Sequence, residues 1–415
     1  MNVLLLLAFI TNASPNSVDS VSVGTDAFLR VQTGRNFFVY RYSSPFLMEQ
    51  RFTPFMLFKT GKITIKTSLE IAHRWTNYTS RTMQPYEYSR LATVYAGENW
   101  ISWKPFQQLE IRAGRQAVTY GTGRIFGIED WNLVVAYPDM VRVRYSLLQW
   151  DFEIGGGWFF PPEFELVAPL LQRGFHIVHI QRDSFFLSGL SEYRIGRDSF
   201  WVWRHTAGGQ LPVKIIKGNA SVNLFLEGYF QFGITDRVVS LKGTERIPIR
   251  AFMFVLRATG QVKSLYCQVS GVILSGQPTG TLNDFEGSFY AEMGLWHKYY
   301  GLMDWYVNPS DWGYTGLMQL ESIVGIKIKN WRVKVLASLF RSLYPPVPYT
   351  PSLSSEASLR VSYVTQNVVF ELAGTYGRLS QCLRDLRSFP KIGPVSREGY
   401  VIWATTRLHI SKAIK

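Results

Sequence analysis

From Lys62 to Trp75 the chain alternates without a break. Lys62, Thr64, Lys66, Ser68, Glu70, Ala72 and Arg74 hold the even positions, and Ile63, Ile65, Thr67, Leu69, Ile71, His73 and Trp75 the odd ones. Side chains of a strand point to opposite faces with a period of two, so this segment reads as a strand with one wet, basic face and one greasy face. Its length suits a tilted membrane strand of about 9–11 residues plus ends, with Trp75 near an interface. The pattern recurs along the chain in short segments closed by Gly, Pro, Asn or Asp, and no run of about 18 apolar residues follows the first residues. Helices are therefore excluded as the means of crossing a membrane, and two-faced strands are left.

The preceding strand sets Phe52, Met56 and Phe58 opposite Arg51, Thr53 and Lys59, and Thr60-Gly61 reads as a tight turn. A second pair spans Glu98 to Val118 around Lys104-Pro105-Phe106, with Glu110 and Arg112 opposite Leu109, Ile111 and Ala113. A third spans Asp139 to Phe159, where Arg142, Arg144, Asp151 and Glu153 share one face and Val143, Tyr145, Phe152 and Ile154 the other. Further strands are expected at Gly174 to Gln181, Phe185 to Tyr193, Ser199 to Thr206 and Ala220 to Gly233, the last with Glu227 on its polar face. Ile249 to Thr259 and Ser264 to Ser275 form a hairpin around Gly260. Lys327, Arg332, Lys334 and Arg360 oppose Ile326, Val333, Val335 and Leu359. Glu371 and then Arg407 complete the polar face in the closing strands, the last running from Tyr400 to Ile410.

Composition settles what such strands build. Aromatic residues make up 15% and charged residues 18%, the latter below the roughly 25% of a soluble domain. Two-faced strands rich in Trp and Tyr predict an all-β fold, a transmembrane antiparallel β-barrel with aromatic girdles; the soluble alternative is a large β-sandwich or solenoid. About 400 mature residues at roughly 22–25 per strand and connection give about 16–18 strands, enough for a water-filled lumen. Closure also removes the sheet edges that a bilayer does not tolerate. Residues 1–13 read as a signal peptide, with an apolar stretch from Val3 to Ile10 too short to span as a helix and a cleavage point after Ala13; the alternative for them is a buried strand. Residues 14–415 then form a single outer-membrane barrel domain, in contact with outer-membrane lipid and lipopolysaccharide.

The net charge of +14 needs a solvated place. Its dispersal through alternating strands does not resemble a basic arm or a recognition helix, so nucleic acid is not the expected partner. The expected place is the lumen. Lys62, Lys66, Arg74, Arg112, Arg142, Arg144, Lys327, Arg332, Lys334, Arg360 and Arg407 point inward, because a cation facing hydrocarbon at the midplane costs about 2–4 kcal/mol. Glu110, Asp151, Glu153, Glu227 and Glu371 accompany them as lumen acids. The six histidines are scattered, and His176 and His179 fall on opposite faces of one strand, so neither a catalytic constellation nor a metal site is implied. Cys267 and Cys382 show no metal-ligand spacing. No enzyme activity and no cofactor are expected.

Two stretches depart from the hairpin rhythm. Leu109 to Trp131, LEIRAGRQAVTYGTGRIFGIEDW, begins as a strand and breaks at Gly114 into a long polar loop; Ser275 to Trp305 is a second long, polar and aromatic segment, by itself an extracellular loop. The elements GRQ, YGTGR and DW of the first, with SGQ and Gly301-Leu302-Met303-Asp304 of the second, resemble the signature segments of the alginate export family of outer-membrane β-barrels. Gln277 stands where that family usually carries an acid. The resemblance implies an 18-stranded monomeric barrel conducting an anionic polysaccharide through a lumen of Arg and Lys, with the first segment as a pore-constricting loop. Arg115 and Arg124 would then sit at the constriction and bind carboxylates. The plainer expectation for this pair is an ion pair with Glu129 or Asp130 that pins the loop. An anion-selective pore for small acids or phosphate, and a structural or adhesive barrel, are the competing functions.

Overall fold

The computed structural model describes residues 19–35, 47–76, 93–128, 137–159, 173–195, 201–217, 220–238, 244–277, 285–291, 295–300, 315–345, 351–381, 384 and 398–414. The signal segment, Glu129 to Trp131, Gly301 to Asp304 and Cys382 lie outside them. Eighteen strands run β1 (Ser20–Arg35), β2 (Leu47–Thr60), β3 (Ile63–Thr76), β4 (Thr93–Phe106), β5 (Leu109–Arg115), β6 (Asp139–Leu147), β7 (Trp150–Phe159), β8 (Arg173–Arg182) and β9 (Phe185–Ile195). They continue as β10 (Trp201–Lys217), β11 (Ala220–Val238), β12 (Thr244–Val262), β13 (Leu265–Leu274), β14 (Leu317–Ile328), β15 (Trp331–Ser342), β16 (Ser352–Val364), β17 (Val368–Leu379) and β18 (Glu398–Ile414). Each pairs antiparallel with its neighbours in sequence, and β1 pairs with β18, from Val21 opposite Ile414 to Arg35 opposite Tyr400. The sheet is a closed barrel.

The alternation read from the sequence sets the two faces. Outward positions carry Leu226, Phe230, Leu256, Val324, Leu339 and Leu372, all exposed, while their sequence neighbours on the inner face include Glu227, Gln231 and Ser338, all buried. An apolar outer belt over a polar lumen is stable where the surrounding medium is hydrocarbon. Outward aromatics gather at both rims. Trp331 meets Tyr363 with ring centroids 5.1 Å apart at one end, and Trp158 meets Tyr193 at 5.6 Å at the other. Such rings carry an apolar body and a polar edge suited to a headgroup level.

The two ends differ. At one end, where the described chain begins and ends, the strands join by tight turns, five of which carry a left-handed first residue (Gly61, Leu148, Asp183, Lys263 and Lys329), as two-residue hairpins of the primed types require. Two turns fall elsewhere than the sequence suggested. The β2–β3 turn is Gly61-Lys62, and the β12–β13 turn is Lys263-Ser264, with Gly260 inside β12 opposite Cys267. At the opposite end most connections are longer. The β5–β6 and β13–β14 connections fold back into the barrel, and a helical turn, α1 (Trp296–Tyr299), lies in the second.

Candidate functional site

The inner wall of the short-turn half is a ring of charge. Arg112 on β5 gives Glu110 two hydrogen bonds, of 2.9 and 2.6 Å, and lies 4.0 Å from the Trp100 ring centroid. Next along the wall, Arg142 meets Glu153 at 3.3 Å and Arg144 meets Asp151 at 2.5 Å. Lys66 pairs with Glu98 and Lys104 with Glu110 at 3.5 Å. Arg407 on β18 lies 5.6 Å from the Phe28 ring, and Arg51 on β2 lies 5.3 Å from it. Two open cavities of about 310 and 360 Å³ run along this wall from β17 and β18 across β1 to β5, meeting at Phe55 and Lys66.

The charge is least compensated on β14 to β16. Register places Lys327 directly opposite Arg332, and Lys334 directly opposite Arg360. Arg360 has Glu371 at 4.0 Å, and Glu371 also accepts from Ser362 and from the Trp403 indole, each at 3.3 Å. Among the described residues, no carboxylate forms an ion pair with Lys327, Arg332 or Lys334. Like charges facing each other across a ladder are destabilising. The patch therefore favours anions in the water beside it.

The long-loop half is filled instead. After Gln116, whose amide donates to the Gly114 and Met140 carbonyls at 3.1 Å each, the β5–β6 loop turns into the lumen. Val118, Tyr120, Ile125 and Phe126 are buried there with inward residues of the wall, Phe175, Ile177, Phe186 and Leu190 among them. The Tyr120 hydroxyl donates to Glu153, and its ring lies 5.1 Å from His179. Thr122 donates to Glu227 of β11 at 2.5 Å, and Arg124 pairs with the same carboxylate at 3.3 Å.

The second unusual segment of the sequence closes on the first. Leu295 donates its amide to the Gly123 carbonyl at 3.0 Å, Tyr299 donates to the Thr122 carbonyl, and the Arg124 guanidinium lies 3.8 Å from the Tyr299 ring centroid. Gly123 has φ +82°, and a Cβ there would come within 2.5 Å of Leu295, so the YGTG motif provides both a left-handed turn and room for its neighbour. Burial works against the charge on Arg124, yet Tyr300, Glu227 and Tyr299 together hold its pKa above the ordinary guanidinium value. Burial pushes the Tyr300 hydroxyl up to about 12, so it remains a donor at neutral pH.

Two expected positions, those of Arg115 and Lys62, are corrected by this geometry, and others are kept. Arg115 is not at a constriction. It continues the outward series of Ile111 and Ala113, faces Asp139 across the ladder, and makes two bonds with it, 3.0 and 2.8 Å, at the long-loop rim. Arg124 does enter the lumen, but it is 4% exposed and held by Glu227 of the wall, a partner about a hundred positions away in sequence. Lys62 sits in the β2–β3 turn and donates to the Pro105 carbonyl at the rim. Arg74 lies on the inner face at the long-loop end, 2.6 Å from the buried Glu49. Glu153 and Glu227 are loop anchors as well as lumen acids. Tyr120, Tyr299 and Tyr300, which complete this lock, carry no periodic signal and were missed. Among the described residues, no group of three or more His, Cys, Asp or Glu side chains is placed to hold a metal.

Neither a protein-family model nor a curated sequence matches the chain. Solved structures do. OccAB1 of Acinetobacter baumannii superposes with a TM-score of 0.63 at 9% identity, over 94% of this chain and 96% of that one. OpdK of Pseudomonas aeruginosa, crystallised with vanillate, gives 0.60 at 11% identity over 94% and 99%. OccD3 (OpdP) of the same organism gives 0.62 at 10% over 95% and 92%. The chain shares the fold of these barrels. They lend no support to the narrower resemblance to the alginate export family.

Proposed function

We propose that the protein is an anion-selective channel of the bacterial outer membrane, acting as a single-chain pore, with its short turns toward the periplasm and its long loops outside. It passes small organic anions by diffusion. The observation that carries this reading is the patch on β14 to β16, where Lys327 opposes Arg332 and Lys334 opposes Arg360 without an equal number of acids. Fixed cations along a solvated wall raise the local concentration of anions, and the acids paired with Arg112, Arg142 and Arg144 keep any one anion from binding too tightly to leave. Lipid covers the apolar belt, with lipopolysaccharide at the long-loop rim.

Size favours small acids over a polymer. The β5–β6 and β13–β14 loops occupy the outer half of the lumen through buried aromatics and ion pairs, and a polysaccharide chain would have to displace both. OpdK, which shares the fold, was crystallised with vanillate, a single-ring carboxylate. Reversal potentials in planar bilayers under a salt gradient test the proposal. The parent is expected to prefer chloride over potassium, and Arg332→Glu with Lys334→Glu to shift the potential toward cations while the heat-modifiable gel band of the folded barrel persists. Unchanged selectivity in that variant would remove the patch from the mechanism. Current block by uronate oligomers at concentrations where simple aromatic acids pass would favour the polymer instead.

A further inference from the structure

At the long-loop rim, on the wall opposite the open cavities, Glu192 of β9 is 6% exposed. Both of its carboxylate oxygens are buried with no hydrogen-bond partner among the described residues. It faces Arg204, its direct cross-strand partner on β10, and Arg173 of β8. The three side chains border a cavity of about 30 Å³, room enough for a water molecule. A carboxylate taken out of water costs several kcal/mol unless its lone pairs are satisfied, so a buried water joining it to the arginines is the economical occupant.

Arg204 reaches further. It donates to the Tyr290 carbonyl at 3.2 Å and lies 5.5 Å from the Tyr290 ring. Gln231 of β11 holds the same residue from the other side, donating to its carbonyl at 2.8 Å and accepting from its amide at 3.0 Å. Tyr290 belongs to the β13–β14 connection, the segment that closes on the Arg124 lock. We infer that Glu192 is a positioning residue that seats this connection in the lumen through Arg204, with one water bound between the carboxylate and the two arginines. Without the carboxylate, Arg173 and Arg204 face each other across a small space that Arg194, paired with Asp236, also lines. Arg204 then turns away from Arg173 and gives up Tyr290.

The seat is read by hydrogen exchange in detergent, which does not depend on conduction; only the electrical consequence rests on the channel reading above. Glu192→Gln is expected to raise amide exchange of residues 285–291 at least tenfold, while residues 118–127, held by Glu153 and Glu227, exchange as in the parent. Glu192→Asp keeps the charge and is expected to restore protection. Arg204→Met cuts the link to Tyr290 while the Glu192 side chain is kept, and should give the same local rise. Exchange at 285–291 within twofold of the parent in Glu192→Gln, or an equal rise in both loops, overturns the inference. If Glu192→Gln fails to give the heat-modifiable band, Arg204→Met decides, and unchanged exchange there overturns it. A local rise without any change in single-channel current would count against the channel, not against the seat.

Discussion

The two halves of the lumen are built from the same strands and solve opposite problems. Toward the short turns the inner wall carries charge beside open water, with Lys327, Arg332 and Lys334 lacking acidic partners among the described residues. Toward the long loops it carries Phe175, Ile177, Met253 and Val255, covered by loop residues such as Phe126 and Phe289. Burying an aromatic or large aliphatic side chain contributes about 1.5–3 kcal/mol. Several together keep the loops seated far below thermal reach. On the proposed channel reading, one half would select by field and the other by shape, which would separate the charge of an acceptable solute from its width.

That division can be broken most severely at Arg124. Arg124→Met leaves the Glu227 carboxylate buried without its cation, a loss of about 3–5 kcal/mol, and limited proteolysis is expected to cut within 116–128 while barrel strands resist. Resistance equal to the parent would mean the apolar contacts alone hold the loop. Tyr120→Phe removes a hydrogen bond to the charged Glu153, worth about 1.5–3 kcal/mol, and should loosen the same loop less, seen as noisier single-channel current without a change in selectivity. If selectivity moves as well, the two halves are coupled.

Salt sharpens the contrast. The Debye length falls from about 10 Å at 0.1 M to about 3 Å at 1 M, so anion preference should decay over that range while loop protection stays constant. A preference that survives 1 M salt would assign selection to shape. The smallest effect is expected at Arg115, whose pair with Asp139 lies on the outer rim. Arg115→Gln should cost no more than about 1 kcal/mol and leave the reversal potential where it was.

How far the sequence could be read follows from the range of each interaction. Alternation is local, so Ile63 to Trp75 or Trp331 to Leu339 announce a strand and its faces directly, and enough such segments give a barrel and its size. Turns are nearly as local, yet Lys263 takes a left-handed conformation that Gly260 seemed better suited to supply. The loop lock is different in kind. Arg124 and Glu227, or Thr122 and Tyr299, meet only because the barrel has already closed and returned both loops to one space. No spacing within one segment reports that meeting. The glycines of YGTG marked the place as unusual, and the identity of the partner was beyond what they could tell.

The seam between β1 and β18 has a temporal meaning. Val21 pairs with Ile414, so the contact that completes the cylinder joins nearly the two ends of the described chain. Contacts of that separation form late, because the entropy of closing so large a loop must be met before the pairing rewards it. Until the last strand docks, the first and the penultimate each present an unpaired edge, the kind of surface on which chains aggregate. Loss of residues 398–414 would therefore do more than shorten the protein. It would hold the chain permanently at the stage just before closure, with seventeen strands made and no cylinder.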